Sequence, residues 1–114
     1  MPRTTSVTRP TKRTEYAIIF ATRQAEKGWR DVLATTLNAL TDAWDDLTAN
    51  PLRNDTVCHP LKGTLGTVIV DGITHVHRQY ELPGGARIWY YVTDGHPGIV
   101  HLLDVHTHHP NQTK

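Results

Sequence analysis

Three turn signals divide the second half of this chain into short segments that alternate between apolar and polar residues. They are Asp71-Gly72, Pro83-Gly84-Gly85 and the run from Asp94 to Gly98. Asp-Gly between two alternating segments is a strong hairpin signal, because the central turn positions need backbone conformations that Asp and Gly tolerate. The segments between these turns, residues 64–70, 73–82, 86–93 and 99–107, are therefore predicted to form an antiparallel β-meander.

The first half of the chain predicts a strand and then helix. Residues 16–21 form a short apolar run, which is typical of a buried strand. Over residues 23–49, apolar residues recur at steps of three and four, which indicates one helical stripe but leaves open whether it is one long helix or two. The stripe contains Trp29, Val32, Leu33, Leu37, Leu40, Trp44 and Leu47. This order of elements predicts an α+β fold, with the helical segment packed on one face of a small antiparallel sheet.

Length and composition indicate one domain behind a basic tail. The 114 residues show no break in composition, so residues 15–114 are expected to form a single domain. Residues 1–14 contain Arg3, Arg9, Lys12 and Arg13 but no acidic residue, and we expect a flexible tail there. A single cysteine and the lack of any long apolar run favour a cytoplasmic location without a membrane partner.

Alternation along the predicted strands sorts side chains onto two faces of the sheet. One face is expected to meet the helices, with Arg78 as a misfit that a bulge or an edge position could accommodate. The other is expected to be open and lined by charged, histidine and aromatic side chains. The expected core side chains are Val76, Tyr80, Leu82, Ile88, Tyr90 and Val92, and the open ones are His75, His77, Gln79, Glu81, Arg87, Trp89, Tyr91, His106 and His108.

The open face has the side chains that RNA cleavage requires. The reaction needs a base for the 2′-OH proton, a cation for the charge on the phosphorus centre and an acid for the leaving oxygen. Histidine and glutamate transfer protons, arginine binds phosphate with a planar fork, and Trp89 and Tyr91 could stack on unpaired bases. No metal or other cofactor is needed in this scheme. A solvated sheet face without any activity is the plain alternative.

A metal site is a third possibility. His75-Val76-His77 and His106-Thr107-His108 are two HxH pairs, and each pair places two imidazoles on one face of a strand. Two such strands side by side could form a histidine-rich site. No carboxylate follows at a fixed ligand spacing, so the pattern favours metal-free chemistry.

Several short motifs, taken in order, resemble the RelE/ParE superfamily of bacterial toxins, and within it RelE-like proteins of actinobacterial type. The resemblance covers residues 15–114. It implies a RelE-like α+β toxin that enters the ribosomal A site and cleaves mRNA there, and that is silenced by a cognate antitoxin. The motifs are Leu61-Lys62-Gly63, Tyr80-Glu81-Leu82, Gly85-Ala86-Arg87-Ile88-Trp89-Tyr90 and a final apolar strand that ends in a basic cluster.

The resemblance also implies roles for single residues. Arg87 would contact the phosphate in the transition state, and Glu81 would take the position of a base, because the preceding strand lacks lysine. His108 corresponds to the family's basic residue after the last strand, and Lys114 stands where the family has an aromatic residue. The catalytic set is thus Arg87, His108, Lys114 and Glu81, and substrate contacts are expected from Lys62, His77, Gln79, Trp89, His106 and His109.

Two other functions fit the same resemblance. ParE-like members of the superfamily inhibit DNA gyrase and cleave nothing. A degenerate domain could also bind an antitoxin-like partner without any activity of its own. The concentration of histidine and arginine near Arg87 and His108 favours the nuclease.

Overall fold

The computed structural model describes residues 7, 9, 10 and 12–108. This part of the chain forms two helices, a five-stranded sheet and a separate two-stranded hairpin, and neither helix is long and apolar enough to cross a membrane. The predicted tail, residues 1–14, lies largely outside the described residues. The elements are β1 (Ala17–Phe20), α1 (Arg23–Thr35), α2 (Leu37–Ala49), β2 (Cys58–Pro60), β3 (Thr67–Val70), β4 (Ile73–Val76), β5 (Arg78–Glu81), β6 (Arg87–Thr93) and β7 (Ile99–His106).

The strand order of the large sheet is β1-β7-β6-β5-β2. The predicted α+β class is confirmed, but the sheet is mixed, because β1 runs parallel to β7 while the other pairs are antiparallel. Parallel neighbours need a long crossover connection. Here the chain between β1 and β7 supplies it, and it contains both helices.

Residues 23–49 form two helices that are separated at Thr36. Thr22 starts α1, since its side chain accepts a hydrogen bond from the Ala25 amide at 3.0 Å, as an N-cap residue does. Thr36 leaves the helical region with φ −140°, and both its amide and its hydroxyl donate to the Val32 carbonyl. Leu33 and Leu37 flank this break and are 42% and 58% exposed, so the predicted apolar stripe is interrupted there.

The core lies between the two helices and one face of the large sheet. Ile88 and Tyr90 of β6 are fully buried against the helices, as alternation predicted. Val76 is 54% exposed instead of buried, because β4 belongs to the separate hairpin. The other fully or nearly fully buried apolar side chains are Ala25, Val32, Leu40, Ala43, Leu47, Cys58, Leu82, Val100, Leu102 and Val105.

Arg78 lies on the core side, where alternation placed it, and its guanidinium is bound by polar groups. Its Nη2 donates to the Arg53 carbonyl and to Asn54 Oδ1, and its Nε donates to the Tyr90 hydroxyl at 3.3 Å. The hydrogen bonds of Nε and Nη2 lower the cost of burying this charge. Neither a bulge nor solvent exposure is needed to explain this arginine, which is 5% exposed.

The predicted strands 64–70 and 73–82 differ most from the structure. Gly63–Gly66 form a 3-10 turn before β3, and the second segment is split at His77 into β4 and β5, which belong to different sheets. The Asp71-Gly72 turn is confirmed, with φ of 52° and 78°. β2 was not predicted, because it has three residues and ends in Pro60.

Gly28 is expected to be required for the packing of α1 on β7. A Cβ built on Gly28 would overlap the carbonyl oxygen of Val105, so neither backbone can give way cheaply. Helix propensity alone predicts that Gly28→Ala stabilises the protein by about 1 kcal/mol. We expect the opposite sign, a loss of about 1–3 kcal/mol from overpacking. Urea unfolding would measure this change in the free energy of unfolding, with Lys27→Ala at an exposed position of the same helix as control. A stabilised Gly28→Ala variant would contradict the close approach of α1 to the Val105 carbonyl.

Candidate active site

Side chains from three neighbouring strands stand in rows on the sheet face that points away from the helices. Paired residues of antiparallel strands share a face, with their Cβ atoms roughly 5 Å apart. The first row is Glu81, Arg87 and His106, the second is Gln79, Trp89 and Asp104, and Tyr91 and His101 form the third.

The first row places a carboxylate and an imidazole on either side of a guanidinium. Arg87 Nη2 lies 3.3 Å from Glu81 Oε1, and the two side chains are 13% and 33% exposed. Arg87 Nε is buried without a hydrogen-bond partner among the described residues. The row therefore places a carboxylate, a guanidinium and an imidazole side by side on one face of the sheet.

Asp104 and Trp89 hold His106 in place. The indole packs edge-on against the His106 ring, with 4.5 Å between ring centroids. Asp104 Oδ2 lies 3.7 Å from His106 Nε2 and also accepts a hydrogen bond from Gln24 at 3.1 Å. Burial lowers the pKa of His106, while the Asp104 charge raises it.

His77 is buried with one ring nitrogen bound and the other without a partner. Nδ1 lies 2.8 Å from the Leu65 carbonyl oxygen. Because a carbonyl can only accept, Nδ1 must donate, and in the neutral ring Nε2 is then a proton acceptor. Nε2 is buried with no partner in the described part of the chain. Burial lowers the pKa of His77 and so favours the neutral ring, whereas the hydrogen bond to the Leu65 carbonyl and the charge of Asp104 act in the opposite direction.

The prediction of an open face is wrong beyond the first row. Trp89 and Tyr91 are 7% and 5% exposed. The Trp89 N–H donates to Gln79 Oε1 at 2.9 Å, and the Tyr91 ring is stacked between His75 and His101. Alternation identified the correct face but not its cover, because the β3–β4 hairpin folds back over it. As the chain stands, Trp89 and Gln79 are not free to contact a substrate.

The structure brings together most of the predicted site residues but not all. Arg87, Glu81, His77 and His106 are gathered around Trp89. His108 is exposed after the end of β7 and contacts Thr107, so His106 and not His108 pairs with Arg87. Lys62 is exposed before the 3-10 turn. His109 and Lys114 lie outside the described residues.

The two HxH pairs do not converge on a common centre. His75 packs on Tyr91 and His77 on Trp89, because the chain passes from one sheet to the other between them. Across residues 12–108, no three His, Cys, Asp or Glu side chains are arranged to hold a metal ion.

Acid is expected to destabilise the fold through three histidines. Burial lowers the pKa of His77, His101 and His106, so the unfolded chain binds more protons than the folded one. The free energy of unfolding should then fall as pH drops below about 6.5, the ordinary histidine pKa, and level off below the folded pKa values. Urea titrations at several pH values would measure this. His77→Gln should reduce the pH dependence of the free energy of unfolding, and His96→Gln at an exposed position should not. An unchanged pH dependence in His77→Gln would contradict a contribution of His77.

Asp104 and His101 were not expected at the site. Asp104 shares the face of His106 by plain alternation. His101 reaches that face through a bulge between β6 and β7, where Trp89 pairs with Asp104 but Tyr90 pairs with Leu102. The extra residue resets the alternation of β7. No local sequence signal marks this bulge.

The chain was also compared with known proteins. No protein-family model, curated protein or solved structure matches it.

Proposed function

We propose that this protein is a cytoplasmic RelE-like toxin, a metal-independent endoribonuclease that cleaves mRNA on the ribosome. The observation that carries the proposal is the row Glu81–Arg87–His106, three groups in cross-strand register. It supplies a base, a cation and an acid, which are the groups that RNA cleavage requires.

The chemistry assigns one role to each member of the row. Glu81 accepts the proton of the ribose 2′-OH, and the 2′ oxygen attacks the adjacent phosphorus. Arg87 stabilises the negative charge that builds on the non-bridging oxygens. In its protonated form, which the neighbouring Asp104 carboxylate favours against the effect of burial, His106 donates a proton to the 5′ oxygen as the P–O5′ bond breaks. The products are a 2′,3′-cyclic phosphate and a 5′-hydroxyl, and no water, metal or oxidant is consumed.

A protein partner is part of the proposal, namely the cognate antitoxin that such a toxin requires. An apolar surface at β1 supports it: Ile19 and Phe20 are each 43% exposed, and they line a shallow groove together with Trp29 and Trp44. Exposed apolar surface of this kind often marks a protein-binding site.

Expression of the chain alone under tight control tests the function. Growth arrest with new mRNA 5′ ends inside coding regions is the expected result. Protein that has been treated with EDTA and freed of the chelator should cleave mRNA at full rate on ribosomes held at their working Mg²⁺ concentration. Replication arrest with intact mRNA would indicate the gyrase-inhibitor alternative instead. About one equivalent of zinc or a similar ion in the purified protein, with cleavage lost when that ion is stripped from the protein and restored when it is returned, would contradict the metal-free mechanism.

A further inference from the structure

We infer that the β3–β4 hairpin (residues 67–76) is a lid over a binding site for an unpaired nucleobase, and that the His75 ring occupies the place of that base. The inference rests on the proposed function, which supplies RNA as the ligand. It concerns the surface beside the row Glu81–Arg87–His106, where the substrate strand would continue.

The stack on Tyr91 has the geometry of a bound base. The His75 imidazole lies 4.4 Å from the Tyr91 ring centroid at 28°, and His101 covers the opposite face at 4.3 Å and 4°. A flat heteroaromatic ring on tyrosine is how proteins bind unpaired bases. His101 is fixed to the sheet by β7 and by Thr93, whose hydroxyl lies 2.9 Å from Nε2. His75 belongs to the hairpin, so its ring would move away from Tyr91 when the hairpin opens.

The hairpin is built to move as a unit. Its two strands pair with each other and, in the described residues, with no strand of the large sheet. A lone two-stranded hairpin is marginally stable and depends on what it packs against. Both ends are anchored at one residue: the Leu61 amide donates to the His77 carbonyl, and the His77 amide donates to the Gly66 carbonyl. Residues 61–66 and His77, which these hydrogen bonds hold together, form the hinge, and residues 67–76 would move about it as the lid.

His77 supplies a polar group for the edge of the base. It is 7% exposed, its Nδ1 is held by the hinge at Leu65, and its Nε2 acceptor has no partner in the described residues. A buried acceptor without a partner costs about 1–3 kcal/mol. An N–H on a nucleobase would satisfy it once the lid lifts. Arg87 lies four residues from Tyr91 on β6, about 13 Å along the strand, so one unpaired RNA segment could reach both.

Binding of a short, single-stranded 2′-O-methyl RNA tests the lid. This probe cannot be cleaved, so fluorescence anisotropy reports binding whether or not the protein is a nuclease. His75→Ala removes the ring that competes with the base and should raise the affinity severalfold, because the open state becomes more populated. Thr74→Ala, on the outer face of the same strand, should leave the affinity unchanged. Tyr91→Leu should weaken binding about tenfold or more, and Tyr91→Phe should restore it.

Two results would overturn the inference. One is unchanged or weaker binding in a folded His75→Ala variant. The other is equal affinity of Tyr91→Leu and Tyr91→Phe, with circular dichroism confirming that both are folded. Binding that follows the lid pattern without any cleavage on ribosomes would leave the base site standing and reject the nuclease. Cleavage that depends on Arg87, together with RNA binding that is unaffected by His75→Ala and Tyr91→Leu, would reject the base site and leave the nuclease standing.

Discussion

Replacing Arg87 by alanine is expected to lower the rate of mRNA cleavage about 10²–10³-fold, the usual cost of losing one preorganised transition-state contact. Arg87 lies between Glu81 and His106 in cross-strand register, so no neighbour can replace its charge on the phosphate. Lysine at this position should recover only part of the rate, because it lacks the planar fork.

Primer extension on ribosome-bound mRNA would measure the Arg87 effect, and growth after induction would show it in cells. Arg30→Ala is the matched control, since it removes the same charge from an exposed position on α1. Full cleavage by a folded Arg87→Ala protein would contradict the assignment of the row. Arg87 also pairs with Glu81 at 3.3 Å, so thermal unfolding of the variant must accompany the assay.

His106→Ala is expected to lower the cleavage rate by about 10²–10⁴-fold, the range for loss of a general acid. His108→Ala should change it little. The two histidines are two residues apart in sequence, but only His106 pairs with Arg87 and packs on Trp89, while His108 is exposed after the end of β7.

The two histidine variants distinguish between two assignments of the general acid, one implied by the family resemblance and one based on the structure. The resemblance places the basic group at His108, whereas the strand pairing places it at His106. Single-turnover cleavage by both variants, with folding checked by circular dichroism, gives the answer. A large loss in His108→Ala with little change in His106→Ala would assign the acid to His108, as the resemblance implies, and contradict the role of His106.

Local chemistry made much of the fold predictable. Asp71-Gly72 fixed a hairpin, and period-two alternation assigned Ile88 and Tyr90 to the core and Arg87 to the opposite face. These features depend on residues close together in sequence. The same is true of the helical segment, although its break at Thr36 was left open because threonine is compatible with either a helix or its end.

The remaining features depend on pairings between distant parts of the chain. Ile73 and Arg78 are out of phase with the alternation between Ile73 and Leu82, but neither exception shows that the chain changes sheets at His77. The choice of His106 over His108 depends on the register between β6 and β7, which includes a bulge. The burial of Trp89 depends on a hairpin that folds back over it. Such registers follow from tertiary packing, which a single sequence does not specify.

The parallel pairing of β1 with β7 has a consequence for synthesis of the chain. β1 is made among the first residues, yet its sheet neighbour is the last strand, and residues 17–20 pair with residues 99–102. While the chain is still emerging from the ribosome, the large sheet therefore lacks its inner strand, and Arg87 lacks His106 beside it. Contacts of such sequence separation form late, since loop closure must come first. The candidate site can thus assemble only after residue 106 has left the exit tunnel.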